Sequence, residues 1–227
     1  MNAVLWESLS AWWPEVLLSL GGLKVMLIGV WFKRPRSAMT AAWAFLLAAA
    51  AALWLSPVPP ATGVFFGLIV CDPFSLAFRW LALGTTAVVV LLVMGSDDVP
   101  SDLRGEYLGL ILLVAVGLML MAEANHLLMA YLAIELVSLG GYVLVGLLDE
   151  RRSAEAALKY LLFGALASGI MLFGISLIYG LFGTTHLGSI HRALVAWHAS
   201  GTAAVGTMLP LTLIVALDTF GVQVGPL

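Results

Sequence analysis

Four ionisable side chains, Lys24, Arg79, Glu135 and Lys159, fall inside long apolar stretches of the sequence. A charge at the centre of a bilayer costs at least about 2.5 to 3.5 kcal/mol even on the lenient insertion scale, so each needs a partner, water or a route to the interface. Glu135 stands near the middle of "LLMAYLAIELVSLGGYVLVGLL", residues 127–148, and its stem is too short to reach the interface. Burial and a nearby lysine act on such a carboxyl group in opposite senses, which poises it to exchange protons. Lys159 follows one hairpin later, in "SAEAALKYLLFGALASG". At about 1.5 Å per residue from the shared loop, Lys159 lies roughly 9 Å deep and Glu135 roughly 21 Å deep. Straight helices do not bring them into contact; a local break near Gly140 and Gly141, a long lysine stem or a chain of water would have to couple them. Glu135 and Lys159 are thus the candidate proton-relay residues, with a static buried pair that ties two helices together as the alternative.

The other two charges have simpler readings. Arg79 is about five residues into its helix, where it can snorkel outward or pair with Asp72. Lys24 lies deeper, beside Gly21 and Gly22, which permit close helix approach; a partner on a neighbouring helix and a transport role both stay open. His126, at the edge of a span, reads as a polar cap, with proton entry as the alternative. The methionines of "GLMLMAEANHLLM" read as packing or lipid contacts.

Other chemistry is excluded. No helix carries two histidines, or a histidine and a glutamate, at metal-ligand spacing, so no metal site is expected. No glycine-rich phosphate loop follows a strand, and there is no Ser/His/Asp arrangement. One cysteine, Cys71, cannot form an internal disulfide or hold an iron–sulfur cluster alone. A net charge of -3, without basic stripes, excludes nucleic acid as a partner.

The elements that must position these residues are membrane helices. The 227 residues are 62% hydrophobic and 10% charged, with a mean hydropathy of +1.07, a composition that predicts an all-α, polytopic membrane bundle in a lipid bilayer. Six runs have the length of a span: 14–32, 38–55, 74–95, 106–122, 126–148 and 154–182. The "KRPR", "SPVPP", "GSDDVPSDLRGE" and "DERRS" segments between them are charged, polar or proline-rich, and Ser153 is expected to cap the sixth helix. The break at "AEANH" is the least marked, and length argues for two helices there. Gly164, Ala165, Ser168 and Gly169 predict a packing face on the sixth span. Residues 183–206, with His186, His191, Arg192, Trp197 and His198, read as a partly amphipathic surface connection. A seventh run, 207–227, has a clean apolar part that stops at Asp218 after roughly a dozen residues, short of a span.

Glu7 and Glu15 flank the first aromatic cluster where a removable signal peptide would be basic, so the first run is expected to be a retained span. With the N-terminus outside, the inner loops hold Lys33, Arg34, Arg36, Arg104, Arg151 and Arg152, against Arg192 outside. That asymmetry sets the orientation, and the acidic Asp97, Asp98 and Asp102 count little against it. Trp6, Trp12, Trp13 and Trp31 are placed as interfacial anchors.

The stretches "GEYLGLILLVAVGLMLMAEANHLLMAYLAIELVSLGGYVLVGL" and "SAEAALKYLLFGALASGIMLFGISLIYGLFGTTHL" resemble the antiporter-like proton-channel subunit family of respiratory complex I, the NADH-quinone oxidoreductase, and within it the subunit N branch. "CDPFSLAFRWL" resembles the family's third span. The resemblance implies an inverted-repeat membrane fold, with residues 1–100 as helices one to three and 101–227 as an incomplete first repeat holding helices four to six and part of a seventh. It places Glu135 at the glutamate of a broken-helix region and Lys159 at the lysine that passes or modulates protons. It also implies translocation driven by quinone reduction, other membrane subunits of the complex as partners, and a bacterial inner membrane with a periplasmic N-terminus. No redox cofactor is implied on this chain; NADH, FMN, iron–sulfur clusters and quinone are implied for neighbouring subunits. Nothing after Leu217 matches the family's following lysine helix and "PFH" segment, so the chain is expected to be a truncated, fragmentary or divergent short form. An assembly role and a cation/proton antiporter subunit remain the alternative functions.

Overall fold

A computed structural model describes residues 9, 11–32, 34–56, 64–96 and 99–200. The expected partial seventh span, and Trp6, Lys33, Asp97 and Asp98, lie outside the described residues. Among the described residues seven helices follow one another: α1 Trp13–Phe32, α2 Pro35–Leu55, α3 Pro73–Gly95, α4 Arg104–Glu123, α5 Leu127–Val145, α6 Arg151–Phe182 and α7 Leu187–Ser200. The first six are long and apolar enough to cross a membrane, and among the described residues there is no strand. The architecture is therefore the expected helical membrane bundle. A spanning segment can satisfy its own peptide groups in hydrocarbon only as a helix or within a closed barrel.

Helix ends follow local chemistry. Pro35 opens α2 and Pro73 opens α3, positions at which proline's missing N–H costs nothing. Asp72 caps α3 through a reciprocal box: its Oδ1 accepts the Ser75 N–H at 2.6 Å, and Ser75 Oγ accepts the Asp72 N–H at 2.9 Å. The expected cap at Ser153 is displaced. Glu150 has the extended backbone that precedes α6, while Ser153, already helical, donates its hydroxyl to the Val145 carbonyl at the end of α5. Gly183 ends α6 with φ 65, and its N–H bonds the Tyr179 carbonyl at 2.7 Å, the left-handed stop that glycine adopts without strain.

The centre of the bundle is α4, which packs on α1, α2, α3 and α5. Glycine lets it do so. A Cβ on Gly109 would stand 2.7 Å from the Gly22 carbonyl oxygen, and one on Gly22 would stand 2.9 Å from the Gly109 oxygen. Further along the same crossing Gly29 meets Gly105, and a Cβ on Gly29 would lie 2.8 Å from the Gly105 Cα. Association in lipid relies on such close packing, because lipid tails compete for apolar surface as well as another helix does. The expectation for Gly22 holds, and Gly105 and Gly109 supply its counterpart. Lys24, on the same helix, is exposed and rests its ammonium 5.7 Å from the Phe45 ring centre.

The core of Leu18, Val25, Leu46, Leu53, Val90, Leu108, Leu112 and Met119 fills the space among α1 to α4. By contrast α5 buries only Ala133, Gly140 and Tyr142, and α6 packs chiefly on α5. The packing face expected on α6 is shifted: Ala165 and Gly169 are exposed, while Ala167, Ser168, Met171, Gly174, Ile175 and Ile178 are buried. Trp13 and Trp31 face outward as anchors would, but Trp12 turns inward and stacks edge-on against Phe65 at 5.4 Å. The break at "AEANH" is real, with α4 ending at Glu123 and α5 starting at Leu127. Residues 183–200 form a turn, in which Thr185 is buried, and the short helix α7, whose described side chains are half-buried or exposed.

Replacing Gly109 by alanine is expected to cost about 1 to 3 kcal/mol, since the added methyl drives α1 and α4 apart. Gly84→Ala, whose Cβ meets nothing within 4 Å among the described residues, should equal the parent or exceed it by up to about 1 kcal/mol, since alanine is the better helix former. Thermal unfolding of the two variants in the same detergent distinguishes these outcomes.

Candidate functional site

Glu135 is the ninth residue of the unbroken helix α5, so of the three ways of coupling it to Lys159 the local break near Gly140 and Gly141 does not occur. Gly140 instead receives Val114 of α4, and Gly141 receives the ring of Tyr160 from α6. Glu135 is half-buried, and its Oε1 is buried without a hydrogen-bond partner among the described residues. Such an oxygen in an apolar helix is costly, by about 1 to 3 kcal/mol or more for an ionised group.

Lys159 does not supply that partner. Its ammonium donates to Glu155 Oε1 at 2.6 Å, one helical turn earlier, and both side chains are largely exposed, at 66% and 61%. The seam between the two helices is held by Tyr142 against Tyr160, edge to face at 4.7 Å, and by Gly164, where any Cβ would collide with the Tyr142 hydroxyl. With 32 residues, α6 is about 48 Å long at about 1.5 Å per residue. A hydrocarbon core of about 30 Å leaves excess length, which lets the turns carrying Arg151, Arg152, Glu155 and Lys159 stand in the interfacial layer.

A second polar site was not expected. Arg79 neither snorkels nor pairs with Asp72, whose carboxylate is committed to the cap of α3. It is buried, donating Nε to Glu15 Oε1 at 2.8 Å and Nη2 to Glu15 Oε2 at 2.8 Å. Its Nη1 lies 3.1 Å from Glu123 Oε1, and its Nη2 also donates to the Ala11 carbonyl at 3.2 Å. Glu15 in the first turn of α1, Arg79 in the second turn of α3 and Glu123 in the last turn of α4 thus meet at one end of the bundle. Cys71, just before α3, donates its thiol to Glu123 Oε1 at 3.7 Å. Burial, then Glu123, push that thiol up to about 12 against the opposing pull of Arg79, so it stays a donor. The signal in the sequence was positional: in an up-and-down bundle the start of span one, the start of span three and the end of span four share a level.

Above this site three connections are stitched by backbone bonds. Val70 N–H donates to the Glu123 carbonyl at 2.8 Å, Asn125 N–H to Leu68 at 3.0 Å, Leu127 N–H to Thr185 at 2.9 Å, and Leu187 N–H to Asn125 at 3.1 Å. These bonds satisfy the peptide groups left open where α4 stops and α5 starts. Phe65, Phe66 and Gly67 take positive φ in the turn between Val64 and Ile69. Asn125 Nδ2 reaches the Gly67 carbonyl at 3.3 Å and His186 Nε2 at 3.1 Å. His126 does precede α5 but caps it with no side-chain bond; its Nε2 stands 2.8 Å from Thr185 Oγ1. Burial, then the neighbouring His186, hold the His126 imidazole below its usual value. Among the described residues no cluster of His, Cys, Asp and Glu could hold a metal ion.

Residues 124–224 match the family described as NADH:quinone oxidoreductase/Mrp antiporter, TM. Over 220 residues the chain is 36% identical to NADH-quinone oxidoreductase subunit N of Anaeromyxobacter sp. (strain Fw109-5), covering 94% of this chain and 42% of that protein. The subunit N of Granulibacter bethesdensis is 36% identical over 219 residues, again 94% of this chain and 44% of that one. The chain therefore spans less than half the length of these curated relatives. Among solved structures, respiratory complex I from Thermus thermophilus superposes with a TM-score of 0.67 at 31% identity, over 90% of this chain and 43% of that chain. An archaeal membrane-bound sulfane sulfur reductase, at 17% identity and a TM-score of 0.68 over 95% of this chain and 44% of that one, shares the fold.

Two predictions follow from the site's geometry. Arg79→Met leaves the buried acids Glu15 and Glu123 without their cation and is expected to cost about 3 to 5 kcal/mol, with Arg79→Lys recovering only part because lysine lacks the planar fork; a thermal midpoint equal to the parent's would contradict this. For His126, a depressed folded-state value means its contribution is complete above the unfolded value of about 6.5 and is lost as pH falls through the folded value. Exchange protection of the Leu127 and Leu187 amides, corrected for intrinsic rates, should weaken on acidification, and His126→Asn should remove that dependence.

Proposed function

We propose that the chain, which matches the NADH:quinone oxidoreductase/Mrp antiporter membrane family over residues 124–224 and is 36% identical to a subunit N over 94% of its length, serves as part of a proton half-channel in the membrane arm of an NADH-quinone oxidoreductase. Glu135 is the proton-exchanging group and Lys159 the cation that modulates it. The observation that carries this reading is the Glu135 carboxyl group itself, held at mid-span with one oxygen buried and unpartnered. A static structural acid would be expected to have its lone pairs satisfied; a relay acid needs a face left open for the proton and for water.

In this reading Glu135 takes up a proton and becomes neutral, then releases it when the surrounding positive charge changes. Lys159 supplies that change by leaving Glu155 for the α5–α6 seam, with water spanning the remaining gap. The driving energy comes from quinone reduction in other subunits of the complex, which also carry NADH, FMN and the iron–sulfur clusters. The chain's own residues move protons only. Its exposed α5 and α6 faces are suited to neighbouring membrane subunits and lipid, and its N-terminus lies on the periplasmic side of a bacterial inner membrane.

A second reading, a non-catalytic assembly piece, draws on the local Lys159–Glu155 pair, which gives the lysine a partner without any relay. Glu135→Gln in the assembled complex separates the two. The relay predicts at least a several-fold fall in protons moved per electron with the amount of assembled complex unchanged. Full pumping together with poor assembly would favour the structural reading. Sodium-dependent proton movement in vesicles without quinone or NADH would instead identify an independent cation/proton antiporter subunit.

A further inference from the structure

The meeting point of α1, α3 and α4 carries charge that the relay leaves unused, and its residues precede the 124–224 stretch matched by the family model. Glu15, Arg79 and Glu123 are 0%, 3% and 2% exposed. If both carboxyl groups were ionised, this dry site would hold one uncompensated negative charge, which burial penalises heavily. Two carboxylates that share a site relieve that cost by keeping one proton between them.

The geometry distinguishes the two acids. Glu15 is gripped through both oxygens, each 2.8 Å from a guanidinium nitrogen, the fork-to-fork arrangement of an ionised carboxylate. Glu123 is held through one oxygen only. Its Oε1 takes both Arg79 Nη1 and the Cys71 thiol, while its Oε2 is buried with no partner among the described residues. That division between one accepting oxygen and one that accepts nothing is the pattern of a neutral acid, whose carbonyl oxygen accepts and whose other oxygen carries hydrogen.

We propose that this cluster is a proton-binding site, in which Glu123 carries the proton on Oε2 while Glu15 remains ionised against Arg79. The groups that face Glu123 are Glu15 from α1, Arg79 from α3 and Cys71 from the connection before α3. On the other helices packed against α4, Arg36 of α2 lies at the opposite end, and Tyr131 and Glu135 of α5 lie beyond the break. Binding the proton makes the cluster neutral, and releasing it leaves a net charge of minus one. The break at Ala124–His126, with Asn125, His126, Thr185 and His186, gives it a polar neighbourhood at that end. The proposal does not depend on the role of Glu135.

Infrared difference spectroscopy of the protein in lipid nanodiscs tests it directly. The carbonyl stretch of protonated carboxylic acids is followed from neutral to alkaline pH in a Glu135→Gln background, so that the mid-span acid adds nothing. The background protein should show a protonated-acid band at neutral pH that vanishes on alkalinisation, and the additional change Glu123→Gln should abolish it. Because glutamine resembles the neutral acid in shape and charge, Glu123→Gln should also keep the thermal midpoint, whereas Glu15→Gln should lower it. Absence of the band, its survival in the Glu123→Gln protein, or a loss of stability in Glu123→Gln as large as in Glu15→Gln would overturn the proposal.

Discussion

A guanidinium does not give up its proton, so Arg79 has to be met by negative charge wherever the helix carries it. In this bundle Glu15 at the start of α1 supplies that charge, and Glu123 at the end of α4 adds a second contact from the other direction. Both must reach the same level of α3, and the axial register of three helices follows. The end of α4 in turn fixes the short Ala124–His126 connection, and with it the start of α5. Glu135 then sits about 12 Å along α5 by helical rise. Its depth is inherited from the charge cluster through backbone geometry rather than set by any contact of its own.

The packing that surrounds this cluster is uneven in a way that suits the proposed work. Between α1 and α4 the glycine crossings at Gly22–Gly109 and Gly29–Gly105 bring backbones together, leaving little room for adjustment. Around α5 and α6 the burial is sparse: three buried residues on α5, and a seam built from Tyr142, Tyr160 and Gly164. Regions with few buried apolar contacts open at low free-energy cost. A relay that must admit water and let a lysine exchange partners belongs on such a seam, while the register-setting charges belong in the rigid part.

The helices were legible in the sequence because hydrocarbon demands about 20 apolar residues per span, and "KRPR", "DERRS" and the proline-rich loop interrupt the runs. Their ends were less so. Ser153 has the chemistry of a cap, but the backbone turns helical before it, and its hydroxyl instead closes the end of α5. Glu135 stood out because nothing near it in sequence could neutralise it. Arg79 was read against Asp72 because sequence shows near neighbours first, and its true partners are far along the chain, Glu15 being 64 positions away. Glu15 and Glu123 looked like flanking residues since each lies at the end of an apolar run. The alternation of spans puts these ends at one level, and only the folded bundle shows that they meet side by side. The positive-φ turn at Phe65 and Phe66 carried no signal, as bulky residues seldom adopt that conformation.

The central claim is that water reaches the mid-membrane carboxyl position of α5. A cysteine introduced by Glu135→Cys in a Cys71→Ala background, within the assembled complex, can be challenged with a membrane-impermeant thiol reagent from each side of the membrane. Asp149→Cys, in the α5–α6 loop, serves as the exposed standard. The account predicts labelling at position 135 from at least one side, slower than at 149 but complete. Protection from both sides, with position 149 fully labelled, would mean a dry and static site and would contradict it.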